Sequence, residues 1–220
     1  MKAWIFLSIL LFTIFSCGQS EDDLPAAPLR GEILGEDEGF PEILPLKWYP
    51  NNRWQRTWSR AVIAKVKELE LDLHEVNYWN LYEMDCVGYE SATLRERRHF
   101  WLVVMAAIAS QESAFNPRTR YYEVPLREWS EGLLQLSLSN KGHGSECSQL
   151  TKKSILEGKN NLECGLRIMK NQLKGGVNRS SRLLFPPRFY YWSTLTTASK
   201  KAKVIAFFKK HRSMLSFCEG

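Results

Sequence analysis

The stretch LRERRHFWLVVMAAIASQESAF, residues 94–115, decides how this chain reads. It opens with four charged residues between Arg95 and Arg98 and is then continuously apolar from Phe100 to Ala109. A helix that crosses a bilayer needs about 20 apolar residues, so this shorter run, apolar on every side, describes a helix sunk in a protein core. Asn116-Pro117 follows, and proline, which lacks an amide donor and clashes with the preceding turn, stops the helix there. Glu112 therefore falls at the C-terminal end of a buried helix. The negative end of the helix dipole and the apolar residues before it both disfavour an ionised carboxylate, so its pKa is expected to be raised.

Working outward, RWQRTWSRAVIAKVKELELDL (residues 53–73) places Trp54, Trp58, Val62, Val66 and Leu69 three to four residues apart, the spacing of one apolar helix face. The segments Asn160–Leu173, Pro187–Leu195 and Ser199–Phe217 carry the leucine, aromatic and lysine content of helices, and strand signals are scarce. The class is mainly α. Within the last segment, AKVIAFFKKHRSML (202–215) has the composition of a membrane-active helix, but its apolar positions read as closing the core.

With 220 residues and 44% hydrophobic content, the chain holds one proper core and therefore one domain with appendages. Lys2, the apolar run Trp4–Phe15 and a small residue before Cys17 form a secretory signal over residues 1–16. Ile14-Phe15-Ser16-Cys17 resembles the bacterial lipobox, which makes Cys17 the candidate for lipidation and the membrane a partner through that lipid. This points to an exported protein anchored on the periplasmic side of an envelope membrane. Residues 17–45, rich in proline and carboxylates and without helical or strand periodicity, read as an acidic tether. The folded domain is then 46–220. From residue 45 onward the chain holds 28 basic and 16 acidic residues, a net charge near +12. Such a surface suits an anionic partner, which for an exported protein means cell-wall polymer or anionic lipid rather than nucleic acid. The domain is expected to act as a monomer.

Setting Cys17 aside leaves Cys86, Cys147, Cys164 and Cys218, an even number that allows two disulfides in any of three pairings. No Cys-x-x-Cys pair occurs, and His74, His99, His143 and His211 never fall at helical ligand spacing with another His or Cys. No metal and no cofactor is expected.

Cleavage of a glycosidic bond needs a proton for the leaving oxygen and stabilisation of an oxocarbenium-like sugar, so the minimum equipment is a carboxylic acid kept protonated near neutrality. Glu112 fits. Three motifs accompany it in order: Glu112-Ser113-x-Phe115-Asn116-Pro117, Glu131-Gly132-Leu133-Leu134-Gln135-Leu136, and Asn161-x-x-x-Gly165. Together, over about residues 94–195, they resemble the motifs of lytic transglycosylases and goose-type lysozymes. The resemblance implies a lysozyme-like helical domain with a deep glycan-binding cleft, a peptidoglycan strand as substrate, and Glu112 as general acid.

The resemblance also implies that Ser113, Gly132, Gln135 and Asn161 shape or line the substrate side, with Leu134 standing where the family has methionine. A glycine lets backbone approach a ligand and a glutamine offers both a donor and an acceptor to a sugar. Asn161 and Gly165 shape the floor, with Cys164 beside them as a disulfide candidate and Cys147 as its suggested partner. The family's Ala-Tyr-Asn tyrosine has its nearest match in Tyr191, within Phe189-Tyr190-Tyr191-Trp192-Ser193, without the following asparagine. Its hydroxyl would hold the carboxyl in position; the other role for Tyr190 and Tyr191 is packing of a late helix.

An inverting hydrolase needs a second carboxylate about 6.5–9.5 Å from the acid to activate water. Leu126 and Ser137 stand where goose-type lysozymes have acidic residues, which leaves Glu123, Glu128 and Glu131 as candidates. With Glu112 alone, the expected course is lytic transglycosylation, in which the same group protonates the bridge and then deprotonates the muramyl 6-hydroxyl. Lysozyme-type hydrolysis and a non-catalytic, peptidoglycan-gripping lipoprotein are the alternatives.

Overall fold

A long helix, buried from Phe100 to Ala109, forms the axis of the domain. In the computed structural model the described residues are Leu46, Trp48, 55–174, 183–187 and 191–219. They fall within one unit, Leu34–Gly220. The segments expected to be a signal and a tether, Cys17, Trp54 and Tyr190 lie outside the described residues. The helices are α1 (Gln55–Glu68), α2 (Tyr78–Glu83), α3 (Leu94–Glu112), α4 (Ser145–Ser148), α5 (Gly158–Leu173), α6 (Ser193–Thr196) and α7 (Ala198–His211), joined by short 3-10 turns. The protein is mainly helical, and among the described residues no helix is long and apolar enough to cross a membrane.

Helix α3 starts at a capping box. The Thr93 hydroxyl accepts the Glu96 amide, and the Glu96 carboxylate accepts the Thr93 amide at 2.8 Å, so two otherwise orphaned donors are satisfied. From Phe100 to Ala109 every residue is at most 1% exposed. Each large side chain buried in this way contributes about 1.5–3 kcal/mol. Helix α7 covers one side of α3, with the Phe100 and Phe208 rings 5.2 Å apart, and α1 packs against both α3 and α5.

Three features depart from the sequence reading. An antiparallel hairpin joins β1 (Arg120–Glu123) to β2 (Glu128–Glu131), with partners Arg120↔Glu131, Tyr121↔Ser130, Tyr122↔Trp129 and Glu123↔Glu128. Its alternating residues are largely exposed, so it lacks the apolar stripe that marks a strand in sequence. The expected helix over Pro187–Leu195 reduces to α6, because Tyr191 and Trp192 are non-helical and the Trp192 indole donates to the Leu134 carbonyl at 2.8 Å. The expected helix Ser199–Phe217 ends as α7 at His211 and continues in 3-10 turns.

Two disulfides close the domain, Cys86–Cys218 and Cys147–Cys164. The second ties α4 to α5. The first ties the segment before α3 to the last turn of the chain.

After β2 the chain makes a tight turn, closed by the mutual amide–carbonyl bonds of Glu131 and Leu136 at 2.8 and 2.9 Å. Asn161, fully buried on α5, accepts the Leu134 amide at 2.8 Å and donates to the carbonyls of Glu131 at 3.0 Å and Ile155 at 2.9 Å. Gly132 stands at φ +82°, and a Cβ there would fall on the Asn161 amide and lie 2.6 Å from the Ile155 carbonyl oxygen. On the next turn of α5, Gly165 makes room for the Leu134 side chain. Replacing Asn161 with alanine strands the buried Leu134 amide and Ile155 carbonyl, each costing about 1–3 kcal/mol, and leaves the Glu131 carbonyl with the Leu136 amide alone. Asn161→Ala is therefore expected to destabilise the domain by at least about 2 kcal/mol in denaturant unfolding, with more loss than Asn161→Asp, which keeps the acceptor.

Candidate active site

The site begins where α3 stops. The Ser113 amide donates to Ala109 at 3.1 Å, and Ala114 and Phe115 then adopt left-handed backbone, at φ 50° and 65°. This conformation costs a side-chain-bearing residue about 1–2 kcal/mol. It is held because the Phe115 ring is wedged between Trp48 and Phe207, at centroid distances of 6.3 and 5.9 Å. The reversal leaves the Glu112 side chain half-buried at the helix end.

Thr194, on α6, donates a short hydrogen bond to Glu112 Oε1. Burial pushes the Glu112 pKa above the ordinary carboxylate value; the Thr194 hydroxyl and the Lys200 ammonium work against this, and the negative charge of Glu123 adds to it. Lys200 itself donates to Ser193 Oγ at 3.0 Å. The acid is thus kept out of water while a hydroxyl fixes its orientation.

The hairpin supplies further carboxylates. Glu123 and Glu128 are cross-strand partners and so lie on the same face, and each is half-buried. Like charges placed opposite one another repel, and each is met by a serine: Ser130 donates to Glu123 at 3.3 Å and Ser137 donates to Glu128 at 2.6 Å. Tyr191 links to the same loop. Its hydroxyl oxygen accepts the Ser137 amide at 3.3 Å and a short bond from the Asn140 amide group. Burial pushes its pKa up to about 12, with the charges of Glu128 and Glu112 adding to the effect. Glu112, Glu123, Glu128 and Tyr191 therefore share one electrostatic environment.

Other expected contributors sit differently. Glu131 is 2% exposed and forms an ion pair with Arg120 at 2.7 Å, so it is not free to activate water. Ser113 is buried and donates to the carbonyls of Leu133 at 2.9 Å and Ala109 at 3.2 Å. Gln135 donates from its side chain to the carbonyls of Gly132 at 2.8 Å and Thr119 at 3.1 Å. Asn161 has no exposed surface. The close backbone approach at Gly132 is to Asn161 and Ile155 rather than to a ligand. These four residues brace the wall of the site from within. The tyrosine expected to hold the acid binds the 137–140 loop instead, and Thr194 holds the acid. The threonine-rich run Ser193-Thr194-Leu195-Thr196-Thr197 gives no sequence signal that singles out Thr194.

The fold, with a half-buried glutamic acid of raised pKa at the end of its central helix and further carboxylates on the hairpin, is the arrangement of a glycosidic-bond-cleaving enzyme. Residues 91–185 match the family model described as the transglycosylase SLT domain, whose members are lytic transglycosylases that cleave peptidoglycan. Wild-type DslA (form 2) is similar in structure, with a TM-score of 0.62 and 24% identity, covering 81% of this chain and 99% of its own. A glutamate-to-glutamine variant of DslA gives a TM-score of 0.61 and 23% identity over the same shares of the two chains. At these identities the likeness is one of fold. No curated protein matches the chain.

The Thr194 hydrogen bond favours the ionised form of Glu112, so its removal raises the pKa further. Titration of the Glu112 carboxyl by NMR is expected to show a midpoint above the ordinary glutamate value, moved upward again in Thr194→Val. The sign for stability follows. Between the unfolded and folded pKa values the folded state binds more protons, so this group's contribution to stability falls as pH rises through that window.

Proposed function

We propose that the protein cuts peptidoglycan glycan strands between MurNAc and GlcNAc, with Glu112 as the general acid. The observation that carries this reading is the half-buried Glu112 carboxyl, raised in pKa and oriented by Thr194. Glu112 gives its proton to the bridging oxygen as the bond from that oxygen to the muramyl C1 breaks, and the sugar develops oxocarbenium character. The resulting carboxylate then takes the proton of the muramyl 6-hydroxyl, whose oxygen closes on C1 to leave a 1,6-anhydro end. No water is consumed, and one carboxyl serves as acid and then as base. The match of residues 91–185 to the SLT domain supports this course. The net charge near +12 of the folded part suits a strand that carries carboxylates. The signal, Cys17 and acidic tether read from the sequence would hold the enzyme at the periplasmic side of an envelope membrane.

A second reading, inverting hydrolysis, is favoured by Glu123, the one carboxylate whose charge contributes to the raised pKa of Glu112 among the described residues. In that case Glu123 would activate a water on the opposite face of the sugar. The step of eleven positions from Glu112 to Glu123 equals that between the two glutamates replaced by glutamine in the DslA variant structures.

Glu112→Gln is expected to lower the cleavage rate of purified sacculi by about 10²–10⁴-fold; wild-type turnover in this variant would refute the proposal. The wild-type rate should fall as pH rises through the raised pKa of the acid, because the proton donor is lost. Mass spectrometry of the digest separates the two courses. Anhydro-muramyl ends that persist in Glu123→Gln support transglycosylation, whereas hydrated reducing ends, lost together with activity in Glu123→Gln, establish hydrolysis.

A further inference from the structure

Helix α2 presents three large aromatic side chains to solvent within five residues: Tyr78 is 57% exposed, Trp79 69% and Tyr82 60%. They form a cluster. Tyr78 and Tyr82, one helical turn apart, have ring centroids 6.3 Å apart and planes only 26° from parallel, while Trp79 stands edge-on to both at 5.8 and 6.4 Å. Exposed apolar groups gathered in one place mark a surface that meets something. This surface is also fixed. Asn77 caps the helix by accepting the Trp79 amide at 3.0 Å, Leu81 is fully buried, and Asn80 accepts the Leu184 amide at 3.0 Å from the inner side.

We infer that Tyr78, Trp79 and Tyr82 form a second carbohydrate-binding surface, which stacks on pyranose rings of a glycan strand away from Glu112. The inference rests on the reading of the substrate as a peptidoglycan strand. A pyranose offers a flat face of C–H groups, electropositive relative to an aromatic face, and hydroxyls around its rim. Parallel rings with phenolic hydroxyls at their edges complement both features. The charge around the patch suits a glycan backbone better than an anionic lipid surface. Glu75, Glu83 and Asp85 surround the helix, and the cations that reach them are engaged: Lys201 with Glu83 at 2.9 Å, and Lys209 and Arg212 with Asp85 at 2.9 and 3.6 Å.

The helix that carries the patch is also tied to the elements that carry the site. Glu83, the last residue of α2, is bound by Lys201, and the neighbouring Lys200 is bound to Ser193, next to Thr194, which holds Glu112. A polymer seated near Glu112 thus has a second point of contact on a rigidly connected surface. Two weak contacts on one strand raise overall affinity without either becoming tight.

The test uses the full chain carrying Glu112→Gln, so that binding is measured without turnover, and purified sacculi as the probe in co-sedimentation. With the inference correct, Trp79→Ala and the double variant Tyr78→Ala/Tyr82→Ala bind sacculi at least tenfold more weakly. Trp79→Phe, which keeps a ring, retains most of the binding. In the otherwise wild-type chain the same alanine changes leave cleavage of a soluble tetrasaccharide within twofold, which shows that the fold and the acid are intact. Sacculus binding within twofold of the parent overturns the inference. So does loss of binding to phosphatidylglycerol–phosphatidylethanolamine vesicles with sacculus binding retained, which would make the patch a lipid contact. A Glu112→Gln chain that still cleaves sacculi refutes the catalytic proposal instead, so the two failures are told apart.

Discussion

The turn from Glu131 to Leu136 is held by side chains from three separate parts of the chain, and the site exists because of that grip. Asn161 reaches it from α5, Ser113 from the end of α3 and the Trp192 indole from the segment before α6. Each bond satisfies a backbone group that folding has removed from water, so none can be lost cheaply. The turn is thereby a fixed point at which the helix carrying Glu112, the helix beneath it and the segment leading to Thr194 meet. Both strands of the hairpin depart from this point, since Gly132 also donates to the Thr119 carbonyl just ahead of β1. The position of Glu123 and Glu128 relative to Glu112 follows from one buried asparagine.

Around that fixed point the carboxyl groups are treated differently, and the difference is what makes chemistry available. Glu131 is buried against a guanidinium, while Glu123 and Glu128 stay half-exposed with one serine each. Glu112 receives a neutral hydroxyl and little water. Ion pairing or solvation favours the charged form, whereas desolvation with a neutral partner favours the proton. One stretch of chain thus sets its carboxyl groups in three different surroundings: against a guanidinium, half-exposed beside a serine, and half-buried against a threonine hydroxyl.

The helical frame was legible because α3 is apolar without a break from Phe100 to Ala109 and because proline follows shortly after Glu112; both are local properties of the chain. The three motifs were legible too, but their physical meaning was not. Gly132 and Gln135 read as facing a sugar, since polarity and freedom from a Cβ suit one; in the structure the same properties serve the backbone of the turn, as the floor-shaping role read for Asn161 does. Sequence carries residue types and spacing, and it cannot tell which partner, inside or outside, completes a hydrogen bond. Thr194 and the hairpin were hidden for a related reason. A threonine among threonines and a strand pair with little buried surface leave no periodic trace, and both owe their place to elements far away in the chain.

The Cys86–Cys218 bond carries a consequence for how this molecule comes into being. It joins residues 132 positions apart, and at Gly88 there is no room for a side chain beside the Phe217 carbonyl, so the penultimate turn is packed directly against the lead-in to α3. A chain made from its N-terminus has Glu112, the 131–136 turn and Asn161 in hand well before it possesses Cys218. Closure of this bond must therefore wait until the chain has grown past Cys218, long after α3 has been made.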